Sequence, residues 1–220
     1  MRTRSPETSR AGLTRRRTRI QEEKERIILD AALEVFSTFG FRGATVDQVA
    51  ARADMTKPNL LYYFRRKQDL YLAVLQRTLD EWLEPLRAID PDGDPQQEIV
   101  SYVDRKLVMS RDKPEASRLF ALEMLQGAPV MGTVLSGELK DLVDEKAAVI
   151  RRWAAEGRLA DVDPHHLIFM VWATTQHYAD FSIQIAALLG HSIEDRMTFD
   201  AARSTLTAIF TRGLQTGDDT

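Results

Sequence analysis

The sequence predicts an all-α protein, a small helix-turn-helix DNA-binding domain followed by a larger helical domain. Three observations carry this. Apolar residues recur at helical spacing throughout, and no stretch alternates with the period of two that a half-buried strand requires. The stretch TVDQVAARADMTKPNLLYYFRRK, from Thr45 to Lys67, reads as two short helices around a tight turn. The charge is also divided: through Arg77 the chain carries 16 Lys and Arg against 9 Asp and Glu, and beyond it 14 against 24. A basic first third joined to an acidic body fits a nucleic-acid-reading end on a body that reads something else.

Bulk properties set the outer limits. At 220 residues and 44% hydrophobic content the chain can bury a core in two units. It has no cysteine, which excludes disulfides and thiolate metal sites. No apolar run approaches the roughly 20 residues that span a bilayer, and the basic N-terminus lacks the apolar stretch of a signal peptide. A cytoplasmic location without membrane contact is therefore expected.

Residues 1–23 form a basic arm. Up to residue 19 it holds Arg2, Arg4, Arg10, Arg15, Arg16, Arg17 and Arg19 against the single acid Glu7. It has no apolar periodicity and is expected to be disordered when free. It is either a solubilising tail or an arm that neutralises phosphates and reaches the minor groove.

Residues 24–75 are the expected DNA-binding domain. Ile27, Ile28, Ala31, Ala32, Val35, Phe36 and Phe39 form the stripe of a scaffold helix from Gln21, ended by Gly40. Phe41-Arg42-Gly43 turns the corner. Val46, Val49, Ala50 and Ala53 share one face of the next helix, which Thr45 is suited to cap. Thr56 caps another helix over Lys57 to Phe64, with Pro58 in its first turn where a missing N–H is harmless.

That last helix sends Leu60 and Leu61 inward and leaves Lys57, Asn59, Tyr62 and Tyr63 outward. A purely structural hairpin is the bland reading, but lysine, asparagine and paired tyrosines suit phosphates and base edges better than packing. The expected DNA-contacting set is Arg42, Thr45, Thr56, Lys57, Asn59, Leu60, Tyr62, Tyr63 and Lys67. Arg65-Arg66-Lys67 opens a long helix through Leu70, Tyr71, Val74, Leu75, Leu79 and Leu83, which Pro85 bends or ends.

These residues resemble the TetR family of repressors, above all Phe39-Gly40-Phe41, Thr45, Val46, Val49 and Asn59-Leu60-Leu61-Tyr62-Tyr63-Phe64 followed by Lys67. The resemblance implies a three-helix DNA-binding domain, a helical ligand-binding and dimerisation domain, and release from DNA by a small molecule.

Residues 76–214 would be that second domain. A loop over 86–97 is followed by helices over Glu98 to Ser110, Glu115 to Gln126, Leu135 to Glu156, His165 to Leu189 and Phe199 to Leu214. Three stretches, ASRLFALEMLQGAP (116–129), LVDEK (142–146) and DPHHLIFMVWATTQHYADF (163–181), resemble the family's pyrimidine-utilisation repressors. The likeness spans residues 24–190, and the arginine-rich extension and the segment beyond Gly190 depart from it.

That resemblance implies uracil or thymine as effector. Trp172, Thr175, Gln176 and Ala179 fall on one helical face. Gln176 offers both a donor and an acceptor to a ring carrying N–H beside C=O, Trp172 can stack or donate its indole N–H, and Thr175 adds a hydroxyl. Spacing alone favours a core helix whose polar groups bond its neighbours, and it is the resemblance that turns the reading toward a pocket wall. Glu123 is either a helix-edge acid or a buried acceptor for a ligand N–H. Arg118 fits a salt bridge.

No catalytic or metal site is expected. The adjacent His165 and His166 point to different sides of a helix, and His177 and Asp180 complete no metal-ligand spacing. Gly132 and Gly137 mimic a phosphate loop, but Glu138 stands where its lysine belongs. The expected partners are a near-palindromic DNA operator, a pyrimidine effector and a second copy of the chain, with no cofactor. The rivals are a repressor of the same family that senses another planar or hydrophobic ligand, and a nucleobase-processing enzyme.

Overall fold

The computed structural model describes the backbone of residues 7–216 and the side chains of residues 19–216. It is helical throughout, with no strand among the described residues. The chain divides into two compact units, residues 1–74 and 75–220.

In the first unit α1 (Glu7–Gly43) is the scaffold. It already begins at Glu7, so the stretch expected as a disordered arm is helical from there. Its arginines and the Glu22-Glu23-Lys24-Glu25 run favour helix, and an apolar stripe is not required to start one. Residues 1–6, and the side chains of Arg10 through Arg17, lie outside the described residues. Gly40 adopts φ 64°, ψ 174°, which breaks the helix into a final turn.

Next come α2 (Val46–Arg52) and α3 (Lys57–Tyr63). Between them the Met55 amide donates to the Ala50 carbonyl and the Asp54 amide to that of Ala51, with Asp54 left-handed at φ 52°. This pair of bonds satisfies the last carbonyls of α2 and reverses the chain in very few residues. Phe36, Val49, Leu60, Leu70 and Tyr71 form the buried centre, and Tyr71 meets the Phe36 ring edge-on at 4.9 Å.

The long helix α4 (Lys67–Arg87) runs through Pro85 rather than ending there. The second unit continues with α5 (Pro95–Asp112), α6 (Pro114–Leu125), the single turn α7 (Gly132–Val134), α8 (Lys140–Ala155), α9 (Pro164–Asp180), α10 (Ser182–Leu189) and α11 (Arg196–Gly213). Two expected helices are interrupted. The one expected from Leu135 starts with a π-helical turn, Leu135–Leu139, distorted at Gly137. The one expected over His165 to Leu189 breaks at Phe181 (φ −115°, ψ 31°) into α9 and α10, although neither Gly nor Pro marks the place.

α5 lies at the centre of this unit, against α6, α9 and α11. Its core gathers Ile99, Tyr102 and Leu107 of α5 with Trp153 of α8, Val171 of α9 and Phe210 of α11. α10, like the single turn α7, has no buried residue: Ile183, Leu188 and Leu189 are all exposed.

Candidate functional site

The first candidate surface is built on two capped helices. Thr45 accepts from the Gln48 amide at 3.2 Å while Gln48 Oε1 accepts from the Thr45 amide at 2.8 Å, a reciprocal capping box. Thr56 accepts from the Asn59 amide at 3.4 Å and caps α3. Both threonines are exposed, but each hydroxyl is engaged in holding a helix end.

α3 then presents Lys57, Asn59 and Tyr62, all exposed, with Tyr62 77% accessible. Tyr63 packs edge-on against Tyr62 at 5.3 Å, which fixes both rings side by side. Lys57 pairs with Asp47 at 2.9 Å on the solvent face. Arg42 is exposed in the last turn of α1.

Two members of the expected DNA-contacting set are placed otherwise. Leu60 is fully buried and belongs to the core that seats α3. Lys67 donates to the Phe41 carbonyl at 2.7 Å and to the Ala44 carbonyl at 2.9 Å, with its ammonium 4.7 Å from the Phe41 ring centre. It closes the corner between α1 and α2 instead of standing free for a phosphate. Arg66 is likewise held by Asp69 at 2.7 Å.

The second candidate site is a cavity of about 60 Å³ in the second unit. Leu79, Trp82 and Leu83 line it from α4, Lys106 from α5, Phe120 from α6, Leu139 from the π-helical turn, and Trp172 and Gln176 from α9. Its walls are apolar apart from the indoles, one amide and one amine. Trp172 Nε1 donates to the Tyr102 hydroxyl at 2.5 Å, so the indole is oriented from α5. Burial pushes the Tyr102 hydroxyl well above the usual tyrosine range, and it is neutral at any physiological pH.

Lys106 is 2% exposed. Its ammonium lies 3.7 Å from the centre of the Trp82 ring and 3.4 Å from the Trp82 carbonyl. Desolvation draws its pKa down to about 7, against a smaller opposing pull from Asp180. The indole nitrogen of Trp82 is buried without a hydrogen-bond partner among the described residues.

Of the four residues expected to bind a ligand, Trp172 and Gln176 line the cavity and the other two do not. Thr175 is fully buried and donates back to the Val171 carbonyl at 2.7 Å within its own helix. Glu123 is also buried, and its Oε1 accepts from the Val130 and Met131 amides at 2.7 and 3.2 Å. Its carboxylate holds the loop after α6. Arg118 pairs with Glu115, and His165 pairs with Asp144 at 3.1 Å. Among the described residues no group of His, Asp and Glu is arranged to hold a metal ion.

Residues 28–74 match the family described as bacterial regulatory proteins, tetR family. Residues 75–217 match the one described as YcdC-like protein, C-terminal region. The HTH-type transcriptional regulator RutR of Escherichia coli (strain K12) is 48% identical over 202 residues, which is 92% of this chain and 95% of that protein. The chain belongs to the TetR family of bacterial regulatory proteins.

Solved TetR-like structures agree in fold. A TetR-like transcriptional regulator from Rhodococcus sp. RHA1 matches with a TM-score of 0.62 and 26% identity, covering 86% of this chain and 94% of that one. The putative transcriptional regulator SCO4942 from Streptomyces coelicolor matches with a TM-score of 0.65 and 25% identity, covering 87% and 98%. The chain is thus a DNA-binding transcriptional regulator of the TetR type, closely related to RutR, and its relatives are regulators rather than enzymes. No described helix is long and apolar enough to cross a membrane.

Sequence reasoning missed Lys106 and Trp82 of this TetR-family chain. A signal for Lys106 was present, since it falls at i+3 and i+7 from Val103 and Ile99, on the stripe that α5 buries. A lysine on an apolar stripe marks a place where a charge has been carried into the core. Trp82 lay in the pattern of an ordinary core aromatic and carried no signal that a cavity opens beside it.

Proposed function

We propose that the chain is a repressor that binds a near-palindromic operator as a homodimer and leaves it when a pyrimidine base, uracil or thymine, enters the cavity lined by Trp172 and Gln176. The observation that carries this reading is the pairing of those two side chains in a small cavity with apolar walls. Gln176 supplies a donor and an acceptor, matching a ring that carries N–H beside C=O. Trp172, oriented by Tyr102, supplies a flat face.

Size supports a single-ring ligand. At about 15 Å³ of accessible volume per water, a cavity of about 60 Å³ has the room of only a few waters. An acyl chain or a bulky amphipathic drug does not fit that space without rearrangement. The resemblance of residues 116–129, 142–146 and 163–181 to pyrimidine-utilisation repressors points the same way.

A homodimer is supported by the exposed apolar residues of the C-terminal helices, including Met170 of α9, Ile183 and Leu188 of α10 and Ile209 of α11, which need cover in water. In that dimer two copies of α3 would enter successive major grooves, the positive first unit supplying phosphate attraction. We place the coupling on α4, which contributes residues to both units. Ligand releases DNA only if it binds the operator-competent state less tightly than the other. We also propose that the protein acts in the cytoplasm, where operator and free base are both accessible.

The test is calorimetric titration with uracil, followed by operator release in a mobility-shift assay. Saturable binding near one base per subunit, with release of bound DNA, is the expected result. No heat with uracil or thymine would reject the pyrimidine reading and leave the TetR-type regulator in place.

A further inference from the structure

Lys106 is the one ionisable side chain in the wall of the cavity, and its partners do not fill its bonding capacity. An ammonium has three donors. Among the described residues the hydrogen-bond acceptor of Lys106 is the Trp82 carbonyl, at the long distance of 3.4 Å. The Trp82 ring below it offers a cation–π contact but no directional acceptor.

We propose that Lys106 is the specificity-determining donor of this cavity, reading a carbonyl oxygen of the ligand as an ammonium, so that ligand uptake is accompanied by proton uptake. The inference rests on the pyrimidine reading, and it adds a residue and a regulatory input that this reading does not contain. Uracil has two carbonyl oxygens, so one can face Gln176 while the other faces Lys106.

The physical argument is linkage. In the empty cavity desolvation holds the Lys106 ammonium near neutrality, so around pH 7.5 a good fraction of the molecules carry the neutral amine. An acceptor oxygen at Nζ favours the charged form and raises the pKa of the filled state. Between those two values a molecule that binds ligand also binds a proton, and affinity falls as pH rises.

The surroundings leave Lys106 as the group in question. On α4, Glu81 pairs with Lys113 and Glu84 with Arg105. On α5 itself, Asp104 pairs with Arg203 of α11, and Tyr102 is held by Trp172. On α6, Glu115 pairs with Arg118 and Glu123 holds the loop beyond. Glu138 and Lys140, on either side of Leu139, are exposed. From α9, Asp180 favours the Lys106 charge while itself accepting from Ser117 at 2.5 Å, and His177 is exposed against Phe181.

The experiment is calorimetry of the full chain with uracil between pH 6.5 and 8.5, in phosphate and in Tris, whose ionisation enthalpies differ widely. The expected result is a binding enthalpy at pH 7.5 that differs between buffers in the direction of proton uptake. Affinity should weaken as pH rises, by at most roughly tenfold per pH unit. Lys106→Met should bind more weakly and lose both effects. Lys106→Gln, which keeps a donor that does not titrate, should bind without proton uptake and serves if the methionine variant fails to fold. A buffer-independent enthalpy with flat affinity in the wild type would overturn the inference and leave the pyrimidine reading intact, as would proton uptake retained in either variant. No uracil heat at any pH overturns both.

Discussion

Trp172 on α9 and Tyr102 on α5 are joined by a 2.5 Å hydrogen bond from the indole nitrogen to the phenolic oxygen. The cavity-lining indole is therefore held by a residue that is almost wholly buried and does not itself line the cavity. Removing that hydroxyl changes the support of the ring and leaves the ring in place. Tyr102→Phe should cost about 1 kcal/mol of stability, the usual net worth of a hydrogen bond, because the single indole N–H of Trp172 loses its acceptor. It should also weaken uracil binding several-fold. A urea midpoint equal to that of the wild type would sink the first claim, and an unchanged uracil affinity the second.

Trp172→Ala goes further and removes the flat face. The expected product is a protein that binds operator normally and ignores its ligand. Normal release by uracil would take Trp172 out of the site.

Tyr63→Ala should lose operator affinity with uracil binding unchanged, because the two sites lie in different units. Lys57→Met and Lys67→Met separate two roles for a basic side chain. For the exposed Lys57 the log-affinity against log-salt line should become shallower by about one unit. Lys67 holds two backbone carbonyls, so its variant should lower the melting temperature and leave the salt slope nearly unchanged. The reverse pattern would return Lys67 to the phosphate contacts.

Glu123→Gln tests the acid placed in the loop instead of the cavity. It keeps an acceptor oxygen for Val130 and Met131 but loses the charge that strengthens both bonds. Stability should fall by about 1–2 kcal/mol, with uracil affinity within twofold of wild type. A tenfold loss of affinity at unchanged stability would make Glu123 a ligand contact after all.

The buried Lys106 also gives stability a pH dependence of known sign. Its folded pKa, about 7, is below the 10.5 of the free side chain, so between those values the unfolded chain holds more protons than the folded one. Stability from this group therefore rises as pH increases from about 7 toward 10.5. Denaturant midpoints at pH 7 and pH 9 should increase in the wild type and show a smaller increase in Lys106→Met. A wild-type midpoint that rises no more than that of the variant would contradict the sign.

The DNA-binding unit was legible because its signals are local. Thr45, Thr56 and Pro58 mark helix ends by their own chemistry, and the apolar spacing of Val49 and Ala50 defines a face. What escaped is what depends on a neighbour distant in sequence. Lys67 looks like a phosphate contact until the carbonyls of Phe41 and Ala44 meet it. Thr175 shares a face with Trp172 and Gln176 on paper, but a helical face is wider than a cavity, and its hydroxyl turns back to Val171. The break at Phe181 carries no Gly or Pro, and its cause lies in packing that residue types do not report. Pro85 marks the end only approximately: the helix accommodates it in its last turn and stops two residues on, at Arg87.

The reading helix α3 has only seven residues. A helix that short does not persist in water alone, where roughly 12–15 residues are needed for even marginal helicity. It exists because Thr56 caps it and Leu60 anchors it, and the corner beside it is stapled by Lys67. In a genetic screen for derepressed alleles, substitutions at Phe36, Val49 or Leu60 would be indistinguishable in phenotype from changes at Tyr62 or Tyr63. Only the first group would be rescued by growth at lower temperature, because those alleles lose the scaffold and keep the residues that face the operator.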